Sequence, residues 1–376
     1  MDDLSSGEAR RKAWAPKTLF IADPMESYNV KHDSTFLIAK TLAEQYPRAK
    51  LFFCKASDLM ALGGVVFCKG RAFEFLGAPD PQPGSPLSMA ARCKPWFRYV
   101  EAKAEDFPTR PDPGARAESR LENGTVDVMA LRDFDACAMR ADPPFDMPYY
   151  FATHLLSLAE SNGATVVNSG RALREYSEKL AILRRARFAP PTIVTGDKNE
   201  ALAFWRLHGD VILKPLDGMG GRGIFRLAPQ EHNAGSILET MLPDSSCRLM
   251  AQKRLAGIAN GDKRVFVIGG KVMPKTVARL AKKGETRANL AAGGSFEVRD
   301  ITQEERGAAQ AIAPDLLKDG VVFAGLDFIG GQLTEINVTS PTCLQEALAA
   351  TGENYAEDFI EAMFAQAKRN AAPAPR

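Results

Sequence analysis

Two short stretches hold the residue types best suited to chemistry. Residues 213–223 read Leu-Lys-Pro-Leu-Asp-Gly-Met-Gly-Gly-Arg-Gly, and residues 325–341 read Gly-Leu-Asp-Phe-Ile-Gly-Gly-Gln-Leu-Thr-Glu-Ile-Asn-Val-Thr-Ser-Pro. The first sets Lys214 just ahead of Gly218, Gly220, Gly221 and Gly223. Glycines this dense leave the backbone few steric limits, so its N–H groups can turn toward the anionic oxygens of a triphosphate. The second supplies Asp327, Glu335 and Asn337, three oxygen donors suited to Mg2+ (or Mn2+) held jointly with substrate phosphates. Together they predict an ATP site without a Walker loop, which would need Gly-Lys-Ser/Thr at the opening of a helix. Here the glycines lie between Val211-Ile212-Leu213 and Ile224-Phe225-Arg226-Leu227, both strand-like, so they join two strands. A plain hairpin tip is the competing reading of the glycines, and Lys214 weighs against it.

The elements that must position the second set can be worked out from spacing. Glu335 and Asn337 are two apart, so on a strand they share one face, with Ile336 and Val338 on the other. Asp327 falls on the preceding strand, at 323–329, with Gly330-Gly331 marking a hairpin. A two-residue turn would pair Asp327 with Thr334 and send Glu335 to the opposite face. A three-residue loop, Gly330-Gly331-Gln332, would pair Asp327 with Glu335. The metal reading therefore predicts an odd-length loop; a solvated polar face is its competitor.

The chain has 376 residues, 45% apolar and 25% charged, which predicts a globular protein of two or three packed units. A net charge of +2 is too small to suggest a nucleic-acid surface. No apolar run approaches the ~18 residues of a membrane span, and the first sixteen residues lack the apolar core of a secretory signal. Cys54, Cys68, Cys93, Cys137, Cys247 and Cys343 show no paired spacing, which fits reduced thiols in a cytoplasmic protein. The four histidines are isolated and read as structural or exposed.

Along the chain, residues 1–16 are expected to be a disordered arm. Strands at 18–22 and 50–55 flank a helix at 34–45, a βαβ rhythm that predicts a parallel sheet. Pro81, Pro83, Pro86, Pro108, Pro111 and Pro113 crowd the region 77–125, read as loop or insertion with one ordered piece at 96–100. Structure resumes at 136–140, followed by a rigid turn at 142–146, a helix at 149–162 and a strand at 165–168. A helix over 171–184 leads into the second unit, and Asp197 with Glu200 reads as a capping box opening a helix that runs to 207.

With these segments placed, the chain resembles bacterial-type glutathione synthetase, an ATP-grasp enzyme. The resemblance is carried by Asp23-Pro-Met-Glu-Ser-Tyr-Asn-Val-Lys-His-Asp33-Ser, Arg140-Ala-Asp-Pro-Pro-Phe-Asp146, the 213–223 loop, Gly261-Asp-Lys-Arg264, Gly284-Glu-Thr-Arg287-Ala-Asn-Leu-Ala-Ala-Gly-Gly294 and the 325–341 segment. It runs in order from about residue 17 to 365. Ala141 stands where a lysine is common, Ala288 where a glycine is common, and the 77–125 region is longer than usual. The fold it implies is α/β. An N-terminal parallel-sheet (pre-ATP-grasp) domain at 17–176 precedes an ATP-grasp domain at 177–366 with two α+β subdomains, about 183–252 and 253–366, and a tail at 367–376.

The activity it implies joins γ-glutamylcysteine to glycine with ATP, through an acyl phosphate, giving glutathione, ADP and phosphate. Lys179 and Lys214 match the lysines that hold ATP phosphates, with Gly220 and Gly221 over them. Gln252, Lys253 and Leu255 match the adenine hinge, and Asp262 the ribose contact. Arg264 and Arg279 suit the reacting carboxylate and acyl phosphate, because guanidinium forks grip such groups at two points. Arg287 and Asn289 are candidate substrate contacts on a lid spanning 279–294 that would exclude water. Cys343 reads as an ordinary thiol. A homo-oligomer, expected as a tetramer, is also implied. Two other readings remain open: a different ATP-grasp carboxylate–amine ligase, and a non-catalytic ATP-binding sensor.

Overall fold

The computed structural model describes residues 11–76, 96–100, 120–121, 124–125, 127–218, 220–281 and 295–371. Its first sheet runs β10-β9-β1-β2-β4-β3, with β1 at Lys17–Ile21, β2 at Lys50–Cys54, β3 at Leu59–Leu62, β4 at Val65–Phe75, β9 at Ala136–Met139 and β10 at Val166–Val167. Strands β10, β9, β1 and β2 are parallel, as the βαβ rhythm predicts. The helix Ser34–Gln45 starts where the Asp33 carboxylate accepts the Phe36 N–H at 2.7 Å, and it buries Phe36, Leu37, Ile38 and Leu42.

An antiparallel extension was not expected. β4 pairs with β2 and β3, and also with β5 (Phe97–Val100) and β8 (Asp127–Ala130). It turns back from β3 at Gly63-Gly64, both at positive φ, the backbone of a two-residue hairpin. β5 is the ordered piece expected near 96–100. A ribbon of β6 (Arg120–Leu121) and β7 (Gly124–Thr125) follows, and most of the proline-rich region lies outside the described residues. Residues 1–10 of the expected arm also lie outside them, but Trp14 packs edge-on against Tyr46 and Phe364.

The second sheet has the order β11-β14-β12-β13: β11 is Thr192–Thr195, β12 Val211–Pro215, β13 Phe225–Leu227 and β14 Leu249–Lys253. The helix Lys198–His208 begins at Asp197 as expected, but the capping box does not close. Glu200 accepts from the Thr195 hydroxyl instead, and the Asp197 N–H donates to that same hydroxyl oxygen. The third sheet has the order β17-β16-β15-β18-β19, wholly antiparallel: β15 Asp262–Ile268, β16 Lys271–Leu280, β17 Ser295–Asp300, β18 Phe323–Ile329 and β19 Gln332–Asn337.

The helix expected over 171–184 is broken. It ends at Glu175, and a 3₁₀ segment starts at Leu180. Between them the chain crosses the edge of the third sheet, where the Glu178 carbonyl accepts the Ile336 N–H at 2.9 Å. Pairing with that edge replaces a helical turn and brings Glu178 and Lys179 to the β19 side of the sheet.

Asn168 ties the first sheet to the third. Its Nδ2 donates to the carbonyls of Phe323 (2.7 Å) and Val338 (2.6 Å), and its Oδ1 accepts from the N–H groups of Val322 (2.8 Å) and Phe323 (2.9 Å). One buried amide thus holds the entry to β18 and the exit from β19. Asn168→Ala leaves these buried groups unpaired and is expected to cost about 3 kcal/mol or more, read as a fall in the urea midpoint; an unchanged midpoint would refute the tie.

Glu160 gives a pH dependence. Burial pushes its carboxyl up to about 7, against the partial relief of the Gly170 N–H it accepts. The native state therefore holds a proton that the unfolded chain releases at lower pH. This stability is fully present below about 4.5 and lost as pH rises through about 7. Glu160→Gln should flatten the fall of the unfolding free energy between pH 5 and 8, read from urea curves, by on the order of 1–3 kcal/mol. Parallel curves for the two proteins would contradict this.

Candidate active site

The second and third sheets face each other across a cleft of about 790 Å³. It is lined by Lys179, Lys214, Gly220, Gly221, Gln252, Lys253, Leu255, Asp262, Arg264, Arg279, Asp327, Glu335 and Asn337. Every predicted site residue except Arg287 and Asn289 is thus brought to one cavity. Those two, with residues 282–294 of the lid expected over 279–294, lie outside the described residues.

Lys214 sits on β12, which pairs antiparallel with β13 across the glycine loop, as predicted. Gly220, Gly221 and Gly223 all have positive φ, which a side-chain-bearing residue would rarely adopt. Lys179 reaches the loop from the broken helix and donates to the Gly218 carbonyl at 2.5 Å. The Lys214 ammonium lies 3.7 Å from Glu335. On β14, Gln252 is anchored to the Thr192 hydroxyl at 3.1 Å, and Leu255 begins the turn that leads to β15.

The densest electrostatics lie on the third sheet. Arg264 and Asp327 are directly paired across β15 and β18, and Asp327 and Glu335 across β18 and β19. Arg264 grips Asp327 with two bonds, Nε to Oδ1 at 2.7 Å and Nη2 to Oδ2 at 2.8 Å. Arg279 bridges Asp327 (2.8 Å) and its own cross-strand partner Asp262 (2.7 Å). Gly325 makes this possible, since a Cβ there would meet the Arg264 side chain at 2.6 Å.

The expected three-residue loop is absent. Gly330-Gly331 forms a two-residue turn with both φ positive, pairing Ile329 with Gln332 and Phe328 with Leu333. A bulge at Thr334 then shifts the register, so Asp327 pairs with Glu335 after all. The Thr334 hydroxyl donates to the Asp327 carbonyl at 3.1 Å. The odd residue that the shared face requires is supplied by the bulge rather than by the turn.

Burial alone would raise the Asp327 carboxyl; the Arg264 and Arg279 charges overcome it and hold Asp327 well below the usual carboxylate range. Burial would likewise lower both guanidiniums, and the carboxylates reverse it: Asp327 for Arg264, Asp262 and Asp327 for Arg279. Asp262 is pushed up to about 6, by burial first, with Arg279 opposing. Its Oδ1 is buried without a hydrogen-bond partner, a free acceptor in the cleft wall. Sequence reasoning missed Glu178, which lines the cleft, accepts from the Thr339 hydroxyl at 3.2 Å and is raised by burial and then by Glu335. Its only signal was its place beside Lys179. Cys343 also lines the cleft, and burial raises its thiol.

Among the described residues, no group of three or more His, Cys, Asp and Glu forms a metal cage. Glu335 and Asn337 nevertheless fit a hard cation shared with phosphate, and Asp327 would join them only by sharing oxygens that already accept arginine N–H groups. Glu335 has one lysine at 3.7 Å, and the Asn337 amide turns its Nδ2 to Asp327 at 3.0 Å.

A cleft between two α+β units, basic over a glycine loop and carboxylate-lined on the facing sheet, is the arrangement of an ATP-grasp ligase. Solved structures agree on the fold. D-alanyl-alanine synthetase A from Vibrio cholerae superposes with a TM-score of 0.54 at 11% identity, covering 94% of this chain and 99% of that one. An ATP-grasp ligase of Chryseobacterium gregarium, solved with ADP and a leader and core peptide, gives 0.52 at 14% identity, covering 95% and 98%. The family models for the prokaryotic glutathione synthetase N-terminal domain and ATP-grasp domain match residues 17–174 and 178–352. Glutathione synthetase from Neisseria meningitidis serogroup A is 44% identical over 92% of this chain and 98% of its own length. That from Ralstonia nicotianae is 38% identical over 92% and 95%. The chain belongs to the prokaryotic glutathione synthetase family, and it is an ATP-dependent carboxylate–amine ligase.

Gly325→Ala should push Arg264 off Asp327, lower ligase turnover by on the order of 100-fold and also lower the urea midpoint, because a buried ion pair loses its geometry. Unchanged turnover would show that the close approach is dispensable.

Proposed function

We propose that this chain joins γ-glutamylcysteine to glycine, using ATP and releasing glutathione, ADP and phosphate. The observation that carries the reading is the buried Asp262–Arg279–Asp327–Arg264 array facing Lys179, Lys214 and the glycine loop across one cleft. Lys179, Lys214, Gly220 and Gly221 hold the phosphates. Gln252, Lys253 and Leu255 offer their strand and turn to adenine, and the free Asp262 oxygen accepts a ribose hydroxyl. The cysteinyl carboxylate attacks the γ-phosphorus, and the bond to ADP breaks. The glycine amine, in its neutral form, then attacks the acyl carbon, phosphate leaves, and the nitrogen gives up one proton, keeping the other as the amide N–H. Positioning and charge neutralisation are most of this catalysis. Arg264 and Arg279 orient the carboxylate and balance the charge that develops on the transferred group. Asp327, Glu335 and Asn337 would hold Mg2+ or Mn2+, which supplies further charge neutralisation to the phosphates. Arg287 and Asn289 contact the substrate from the lid. The working form is a homo-oligomer, a tetramer by family resemblance, in the cytoplasm; no described helix is long and apolar enough to cross a membrane.

ADP release measured with γ-glutamylcysteine and glycine, each omitted in turn, should require both; release with other pairs only would point to a different ligase, and none at all to a sensor. Glu335→Gln should lower turnover by about 100- to 1,000-fold, on the scale of losing a preorganised charge-stabilising group, with little effect on folding. It is a cleaner probe than Asp327→Asn, which would also strand two buried guanidiniums. Lys214→Met should weaken ATP binding, and an unchanged ATP affinity would remove its phosphate role.

A further inference from the structure

Among the described residues, the N-terminal domain contributes only Asp142 and Pro143 to the lining of the cleft. This short stretch is held firmly. The Asp142 N–H donates to Asp23 at 2.8 Å, and the Tyr149 hydroxyl donates to the Ala141 carbonyl at 3.4 Å. Behind it, Arg140 is buried and directs its guanidinium to the Thr35 hydroxyl (3.2 Å) and the Pro341 carbonyl (2.9 Å). The second of these bonds fixes the segment after β19, whose Ser340 lines the same cleft beside Asp142.

The other carboxylates of the cleft have partners. Asp327 and Asp262 are taken by arginines, Glu335 faces Lys214, and Glu178 accepts from Thr339. Asp142 differs, because among the described residues no basic group reaches it at ion-pair distance and its side chain is open to the cleft. The reactants, on the reading given above, carry anions that the lysines and arginines already suit. What remains are two amino groups: that of glycine, which must be unprotonated to attack the acyl carbon, and the α-ammonium at the far end of the γ-glutamyl group, which stays charged throughout. An exposed carboxylate on a rigid platform, with a hydroxyl beside it, is the chemistry that recognises an ammonium.

We propose that Asp142, assisted by Ser340, is the specificity-determining contact for the α-ammonium of the γ-glutamyl substrate. The proposal rests on the glutathione-forming reading, and the test separates the two. ADP release would be measured for the full-length enzyme and for Asp142→Asn with γ-glutamylcysteine and with glutarylcysteine, which lacks only the α-amino group. The unaltered enzyme should favour γ-glutamylcysteine in kcat/KM by roughly tenfold to hundredfold, the worth of one charged hydrogen bond. Asp142→Asn should lose that much on γ-glutamylcysteine and almost nothing on glutarylcysteine, with KM for ATP and glycine unchanged. Ser340→Ala should show the same pattern in weaker form. Equal losses on both substrates, or no preference in the unaltered enzyme, would overturn the proposal while leaving the ligase reading intact. No ADP release by the unaltered enzyme with γ-glutamylcysteine and glycine would overturn both.

Discussion

The two-point grip of Arg264 on Asp327 is the interaction on which the rest of the site depends. Burying a carboxylate and two guanidiniums costs several kcal/mol per ion unless the geometry is good and the remaining donors are satisfied. Direct cross-strand pairing provides that geometry, because neighbouring strands hold the partners at a fixed separation. Several neighbours follow from it. Position 325 must lack a side chain, Arg279 must share its charge with Asp262, and Thr342 accepts a further Arg264 N–H at 3.3 Å.

The N-terminal domain is part of this machinery through two buried polar groups. Asn168 and Arg140 both bond to the backbone flanking β18 and β19, at either end of the carboxylate-bearing hairpin. The Asn168 amide does this without adding charge, whereas Arg140 brings a buried guanidinium held by a neutral carbonyl and a hydroxyl. A continuous apolar core supports the arrangement: Leu19, Cys137 and Leu156 of the first domain belong to the same cluster as Val265, Leu326 and Ile336 of the third sheet. The cleft floor is therefore anchored to both domains, while the glycine loop opposite it is built from residues with little steric constraint.

How much could be read in advance differed by kind of signal. The parallel strands, the helix at 34–45 and the glycine-linked strand pair follow from local apolar patterning and turn chemistry, and they formed as expected. The antiparallel extension around β4 combines a local hairpin with β3, whose Gly63-Gly64 turn signal sequence reasoning missed, with pairings to β5 and β8 that join segments far apart in the chain. The 171–184 helix failed for a related reason: its pattern is helical, but the Glu178 carbonyl finds a better partner on a sheet edge.

By itself the sequence determined the chemistry: which lysines, arginines and carboxylates are present, the loop that can lie along phosphates, and the spacing that puts Glu335 and Asn337 on one strand face. Those are properties of residue type and of short-range geometry. Only the tertiary structure decided that a bulge at Thr334 delivers the Asp327–Glu335 pairing, that Glu178 joins the cleft, and that Asp142 faces it from another domain. The bulge depends on how one hairpin's register settles, and the other two on where backbone hydrogen bonds close between distant segments; residue-by-residue patterning encodes neither.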